Sequence, residues 1–230
     1  MKRNNALLQN SARWTSSSKN SSKFVIAIGS YSSVPMRVFV DANVLCSRTL
    51  RDWLFLTRLE AGMYTLHATR DVIVETLRAT RHRNAKASGK FITDLEAKLY
   101  ASLDEVFDDF SSSESVPGID INDLHVHTAV LHCKADALIT QNVKDFGDPA
   151  DLAYELYTPD DFLCLADDSS PLTMRSVTKK QNNYWQNRPD SKKKSLTEAL
   201  HGADCPDFAI RVNQHLRVLS GVRKSFERSR

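Results

Sequence analysis

The chain lacks any apolar run approaching the roughly 20 residues that a membrane-spanning helix requires, so no segment reads as transmembrane. It also lacks a CxxC pair. Cys46, Cys133, Cys164 and Cys205 are scattered, which indicates neither a zinc knuckle nor a disulfide framework and reads as four reduced thiols of a cytoplasmic protein. His125, His127 and His132 stand close together without a fourth ligand at zinc-site spacing, and positions two apart face different sides of a helix. They read as helix-surface or core histidines. Acidic residues are missing from the first 35 positions. Those positions hold nine serines and five Lys/Arg, a composition that cannot bury a core and suits a disordered tail or an organelle transit segment.

What is present is the composition of a globular protein: 230 residues, 41% hydrophobic and 26% charged, enough for one ordinary domain and a smaller attachment. Charge is unevenly spread. Residues 1–35 carry five Lys/Arg and no acid, residues 36–168 carry 13 against 23, and residues 169–230 carry 13 against five, giving +5, −10 and +8. An acidic middle between basic ends fits a protein that gathers cations in one place and polyanions in another, although any single run also reads as solvated surface.

From Met36 the pattern alternates strand and helix, which predicts an α/β domain over residues 36–168 with a parallel sheet flanked by helices. MRVFVDANVL begins so cleanly as a buried strand that Met36 is expected to be the natural start, with residues 1–35 an upstream extension. RVFVDA is the first strand. Leu50, Trp53, Leu54, Leu56 and Leu59 then recur at helical spacing, and Gly62 stops that helix before the strand MYTLHA. Thr69 can cap the helix DVIVETLRAT and Ser88 the next, whose apolar stripe runs Phe91, Ile92, Leu95, Leu99, Leu103, Val106. FSSSESVPG breaks the pattern. DLHVHTAVLHCK is a helix with Val126, Ala129, Val130 and Cys133 inward, ADALIT a buried strand, and QNVKDFGDP a loop. Thr158-Pro159 starts the helix of DFLCLA. Residues 169–230, with Ser170-Pro171, the Ser195-x-x-Glu198 capping box and a basic link at Lys192, Lys193 and Lys194, read as a small appendage of two or three helices.

Several polar residues fall where such folds place chemistry. Asp41 ends the first strand as Asp-x-Asn, at the carboxyl edge where open α/β sheets bind ligands; Asn43 can brace it, and both can equally form a turn. Glu75 interrupts the apolar run Val72-Ile73-Val74 and must find a cation or water, with Arg70 and Arg78 as the ordinary ion-pair partners. Asp123 opens a helix, where an N-cap role is the ordinary one, and Asp120 lies in the same loop. Thr140, Asn142 and Asp145 follow the ALIT strand, again at a carboxyl end, with a turn as the alternative for each. Together the acids outweigh their separate explanations. Two carboxylates about 4 Å apart repel by about 4 kcal/mol at an effective dielectric near 20, so a cluster requires protonation or a divalent cation. Oxygen-only ligands favour Mg²⁺ or Mn²⁺ over zinc, and such ions support phosphodiester hydrolysis. Arg78, Arg81, Arg83 and Lys86 form a cationic run suited to phosphate contacts or to a solvated helix end.

VFVDANVL, VIVETLRATR and DINDLHVHTAVLHCKADALITQNVKDF resemble the successive motifs of PIN-domain nucleases, especially VapC-like toxins, over roughly residues 36–165. The last segment is the most specific. The resemblance implies a PIN-like three-layer fold with an acidic pocket at one edge of a parallel sheet, Mg²⁺ or Mn²⁺, RNA cleavage, frequent homodimers, and often a small antitoxin that blocks the site. Residue by residue, Asp41, Glu75 and Asp123 match the three principal metal-binding acids and Asp145 the more variable fourth. Asn142 departs from versions with Asp there, which makes it a neutral ligand or substrate contact. Asn43, Thr140, Arg78 and Arg81 are the supporting candidates. The expectation is a metal-dependent ribonuclease, the toxin of a toxin–antitoxin pair, with a non-toxin RNA-processing nuclease and a non-catalytic PIN-like binding module as the rivals.

Overall fold

The computed structural model describes residues 34–108, 118–187 and 194–228. The expectations for residues 1–33, most of the FSSSESVPG break, and Lys192 and Lys193 lie outside the described residues. The described residues from Pro35 onward form one compact unit.

The alternation of apolar runs and amphipathic stretches produces a five-stranded parallel sheet flanked by helices, in the order β3-β2-β1-β4-β5. The central strands are β1 (Met36–Val40), β2 (Tyr64–Thr69) and β4 (Ala137–Ile139). Val38–Val40 and all of β4 are apolar and buried because both faces of a parallel sheet are covered, whereas β2 also buries the polar His67 and Thr69. The edges are β3 (Glu105–Phe107) and β5 (Glu155–Tyr157), three residues each. Neither edge strand follows from the sequence pattern.

Between β1 and β2 run α1 (Ala42–Leu45) and α2 (Arg48–Ala61). The first strand therefore ends at Val40, and Asp41 belongs to the start of a helical turn. Gly62 terminates α2 with φ +60°, a conformation glycine adopts without Cβ strain. The hydroxyl of Thr69 accepts from the Val72 amide to start α3 (Arg70–Arg83), and Ser88 accepts from Phe91 to start α4 (Gly89–Ser102). The expected stripe through Leu103 and Val106 overruns this helix. Leu103 is its extended C-cap, and Val106 lies in β3. After α5 (Leu124–His132) and β4, the loop to β5 contains two short 3₁₀ turns at Val143–Asp145 and Pro149–Asp151.

Thr158 caps α6 (Pro159–Ser169), which leads to α7 (Pro171–Gln186), α8 (Leu196–His201) and α9 (Pro206–Arg228). The Ser195/Glu198 capping box at α8 is formed. These last helices share the hydrophobic core of the sheet. Met174, Val177, Leu196, Phe208 and Val212 are buried in one cluster with Phe39, Trp53, Leu66 and Leu138, and Phe208 meets the Trp53 ring edge-on at 4.8 Å. Asp160 of α6 accepts from the Asp207 and Phe208 amides at 3.0 and 2.8 Å, capping α9, while the buried pair His215–Asp167 and the Arg211–Asp168 pair hold its first half. Among the described residues no helix is long and apolar enough to cross a membrane.

The connection leaving β1 leads toward β2, whereas that leaving β4 leads toward β5 on the opposite side. The crevice between the carboxyl ends of β1 and β4 is thus the point where the winding reverses, the place where open α/β sheets bind ligands.

Candidate functional site

Asp41 and Thr140 directly follow β1 and β4, and they meet at that point. Asp41 is 4% exposed. It accepts from the Ala42 amide at 2.6 Å, from Asn43 Nδ2 at 2.7 Å and from the Thr140 hydroxyl at 2.7 Å. Asn43 therefore braces Asp41 as its spacing suggested. It also donates to Thr140 Oγ1 at 3.0 Å and accepts from the Gln141 amide at 3.1 Å, which stitches the loop after β4 to α1. The Asn142 amide donates to the same threonine hydroxyl at 3.1 Å. Burial pushes the Asp41 pKa above the usual carboxylate range, and the Thr140, Ala42 and Asn43 donors oppose that shift by favouring the ionised form.

Beside this braced carboxylate opens a groove of about 670 Å³ whose lining includes Glu75, Arg78, Asp123, His125, Asn142 and Asp145. Asp71, Val74, Asp120 and Asn122 complete it. Asp71 lies four residues before Glu75 on α3 and was findable by helical spacing.

Two loops must converge for the acids of α5 and β4 to share this groove. They do so through an antiparallel bridge between Ile119 and Phe146 and a 2.8 Å bond from the Asp120 amide to the Asp145 carbonyl. Gly118 and Gly147 make the approach possible. Both have positive φ, +85° and +74°, and a Cβ on Gly147 would stand 3.1 Å from the Gly118 carbonyl oxygen.

Asp123 precedes α5, but its side chain makes no capping bond. Its backbone is helical (φ −99°, ψ −3°) rather than extended, so the carboxylate is not directed back at the helix amides. Burial and the charges of Asp41, Asp145 and Asp120 instead raise its pKa to about 6. Glu75, with a side chain 56% exposed, is raised by burial and by Asp41. Among the described residues its nearest basic partner is His125, with Nε2 3.9 Å from Oε2, rather than Arg70 or Arg78. The structure thus brings Glu75, Asp123 and Asp145 to one groove, while Asp41 does not line it but acts through its charge on both Glu75 and Asp123. Arg78 sits at the rim. Arg81 does not line the groove: its guanidinium donates to the Ala87 carbonyl in the α3–α4 loop.

Among the described residues, no group of three or more His, Cys, Asp or Glu side chains is gathered closely enough to hold a metal ion. The chemistry of the donor set nevertheless fits a hard divalent cation: carboxylates that repel one another, one rigidly braced and others at the protein surface. His125, whose spacing in the sequence is not that of a zinc site, lines the same groove. Its proximity to Glu75, 50 residues earlier in the chain, has no local signal.

No family model, no curated protein and no solved structure matches the chain.

Proposed function

We propose that this chain is a PIN-like ribonuclease whose acidic groove holds Mg²⁺ or Mn²⁺ and hydrolyses RNA phosphodiester bonds. The observation that carries the reading is the gathering of Glu75, Asp120, Asp123 and Asp145 around one groove near the reversal point of the sheet, where burial and the charges of Asp41, Asp145 and Asp120 raise the pKa of Asp123. Carboxylates held together against their own repulsion are ordinary at a cation site and costly elsewhere. The PIN-like motifs at the same residues supply the reaction class.

Asp41, Glu75, Asp123 and Asp145 are the residues that would hold the ion. A bound ion would supply Lewis-acid polarisation of a phosphate oxygen and of a water. Asp41 contributes a fixed acceptor, because three donors from Ala42, Asn43 and Thr140 define its orientation before any ligand arrives. Glu75, exposed on α3, has the rotamer freedom to close on the ion. Arg78 supplies a cation at the groove rim for a neighbouring phosphate, a contact that positions the strand without reading its sequence. Asn142, at the end of β4, offers an uncharged amide where a further acid would deepen the repulsion.

The proposal includes the biological setting that the motifs imply, a toxin restrained by a small antitoxin. Induction should arrest growth, and co-expression of a small neighbouring protein should relieve it; growth unaffected by active enzyme favours an RNA-processing role. The activity itself is tested by incubating purified protein with total RNA, with Mn²⁺, with Mg²⁺ or with EDTA, and mapping the new ends. Cleavage should require the divalent ion and disappear in Asp41→Asn and Asp123→Asn. Undiminished cleavage in both variants, or cleavage in EDTA, refutes the mechanism. Absence of cleavage together with RNA binding supports the non-catalytic alternative.

A further inference from the structure

The ribbon formed by the Ile119–Phe146 bridge borders two hollows. Asp120 and Asp145 line the acidic groove, and their chain neighbours Ile119 and Phe146 line a second cavity of about 190 Å³. Consecutive Cα atoms are about 3.8 Å apart, so the two sites adjoin. On the α5 side the same step recurs: Asp123 lines the groove, and His127, one helical turn later, lines the cavity. The cavity is smaller than the roughly 300–1,000 Å³ of a site for a whole drug-sized ligand, which suits it to a single ring system.

Its lining combines an apolar wall, Phe146 and Leu152, with the carboxylates of the exposed Asp148 and Asp151. His127 is 6% exposed, and its Nδ1 is 2.8 Å from the hydroxyl of the buried Tyr154. That hydroxyl has no other partner among the described residues, so its hydrogen goes to Nδ1. Burial lowers the His127 pKa and keeps the ring neutral, with its own hydrogen on Nε2. Nε2 has no partner among the described residues, yet it is not sealed in the interior, where the unpaired side-chain atoms are those of Trp53, His67 and Thr80. The N–H therefore opens to the cavity that His127 lines.

We propose that this cavity receives a guanine base of the RNA strand held in the groove, with His127 Nε2–H donating to guanine O6 and the Asp148 carboxylate accepting from N1–H and N2–H. The proposal rests on the ribonuclease reading and names the base that the site selects. Guanine alone places two adjacent N–H donors beside a carbonyl on its Watson–Crick edge. Adenine and cytosine present a ring acceptor where guanine has N1–H, and uracil flanks its single N–H with two carbonyls, so each sets an acceptor against the carboxylate. Asp148 Oδ1 accepts from the Ala150 amide at 2.9 Å, which orients the carboxylate before a base arrives.

The test compares the pentanucleotides UUGUU, UUAUU and UUIUU, where I is inosine and lacks the N2 amino group. Binding is read by fluorescence anisotropy on the full chain carrying Asp123→Asn, so that the RNA stays intact. UUGUU should bind about tenfold or more tighter than UUAUU, and UUIUU should lose most of that advantage. Adding Asp148→Asn should bring the three strands to similar affinity. Equal affinity for UUGUU and UUAUU, inosine bound as tightly as guanine, or a preference that survives Asp148→Asn overturns the proposal while leaving RNA recognition by the groove standing. Failure of all three strands to bind overturns the ribonuclease reading together with it. Because the strand series is measured on one protein, the comparison does not depend on how the second substitution folds.

Discussion

Replacing Asp123 by Asn should stabilise the metal-free protein while abolishing its proposed activity. Burial and three neighbouring carboxylates move this residue from its ordinary value of 3.8 to about 6. Such a change corresponds to at most about 3 kcal/mol of unfavourable interaction in the ionised folded state. Asp123 is partly exposed, so solvent screening leaves an expected gain of about 1 kcal/mol, or roughly 2–4 °C in Tm for a chain of this size. Over the window from about pH 4 to about pH 6 the folded state keeps a proton that the unfolded chain has released. The stability associated with the protonated carboxyl is therefore complete below about pH 4 and is lost as pH rises through about 6. Urea melts in EDTA should show the Asp123→Asn variant ahead of wild type at pH 7.5 and nearly level with it at pH 4. Millimolar Mn²⁺ should reverse the order at pH 7.5, since only the wild type gains from binding the ion. A helix-capping role makes the opposite forecast, because Asn caps as well as Asp and no pH-dependent gain would appear. Equal stability of the two proteins at pH 7.5 in EDTA refutes the argument from repulsion.

Gly147→Ala should cost roughly 1–3 kcal/mol and weaken Mn²⁺ binding, because its φ is positive and the new Cβ meets the Gly118 carbonyl. Gly62→Ala, with open space around it, should cost only about 1 kcal/mol and leave metal affinity unchanged. Arg78→Gln, made in the Asp123→Asn background so that RNA stays intact, should make the salt dependence of RNA binding shallower by about 0.7 in the log–log slope; Arg81→Gln, whose parent guanidinium is tied to the Ala87 carbonyl, should not. Phe208→Ala should destabilise the whole sheet domain by about 3–5 kcal/mol in a single cooperative transition, since the ring packs edge-on against Trp53; a separate early transition of the C-terminal helices would contradict the shared core.

The parts of the fold that were legible share one property: their burial is written as a local pattern. Val38-Phe39-Val40 and Ala137-Leu138-Ile139 are continuous apolar runs, as strands covered on both faces must be, and the parallel sheet followed from their alternation with helical stripes. The edge strands have no such run. Val106 happens to fall in phase with the stripe of the preceding helix, so it reads as one more helical turn, and Glu155–Tyr157 is too short to carry a period. Helix α1 is a single turn between Asp41 and Ser47, below any detectable repeat. At the site, the Asp41–Asn43 brace was readable from a two-residue spacing, and the carboxyl-end position of Thr140 followed from topology. The Thr140–Asp41 bond, 99 residues apart, and the Glu75–His125 contact are products of tertiary folding alone. Asp123 shows the same boundary from the other side. The residue type suggests a cap, but the helical backbone conformation at that position, set by the turn from Asp120, denies it one.

Asp41, Glu75 and Asp123 are proposed to converge on one divalent ion at the point where the sheet reverses its winding. Crystals grown with Mn²⁺ and measured at a wavelength with manganese anomalous signal test it directly. An anomalous peak is expected in the groove within about 2–2.5 Å of carboxylate oxygens from Asp41 and Asp123, with Glu75 swung toward it. A groove without a peak in crystals soaked at saturating Mn²⁺, or a peak held by other residues, contradicts it.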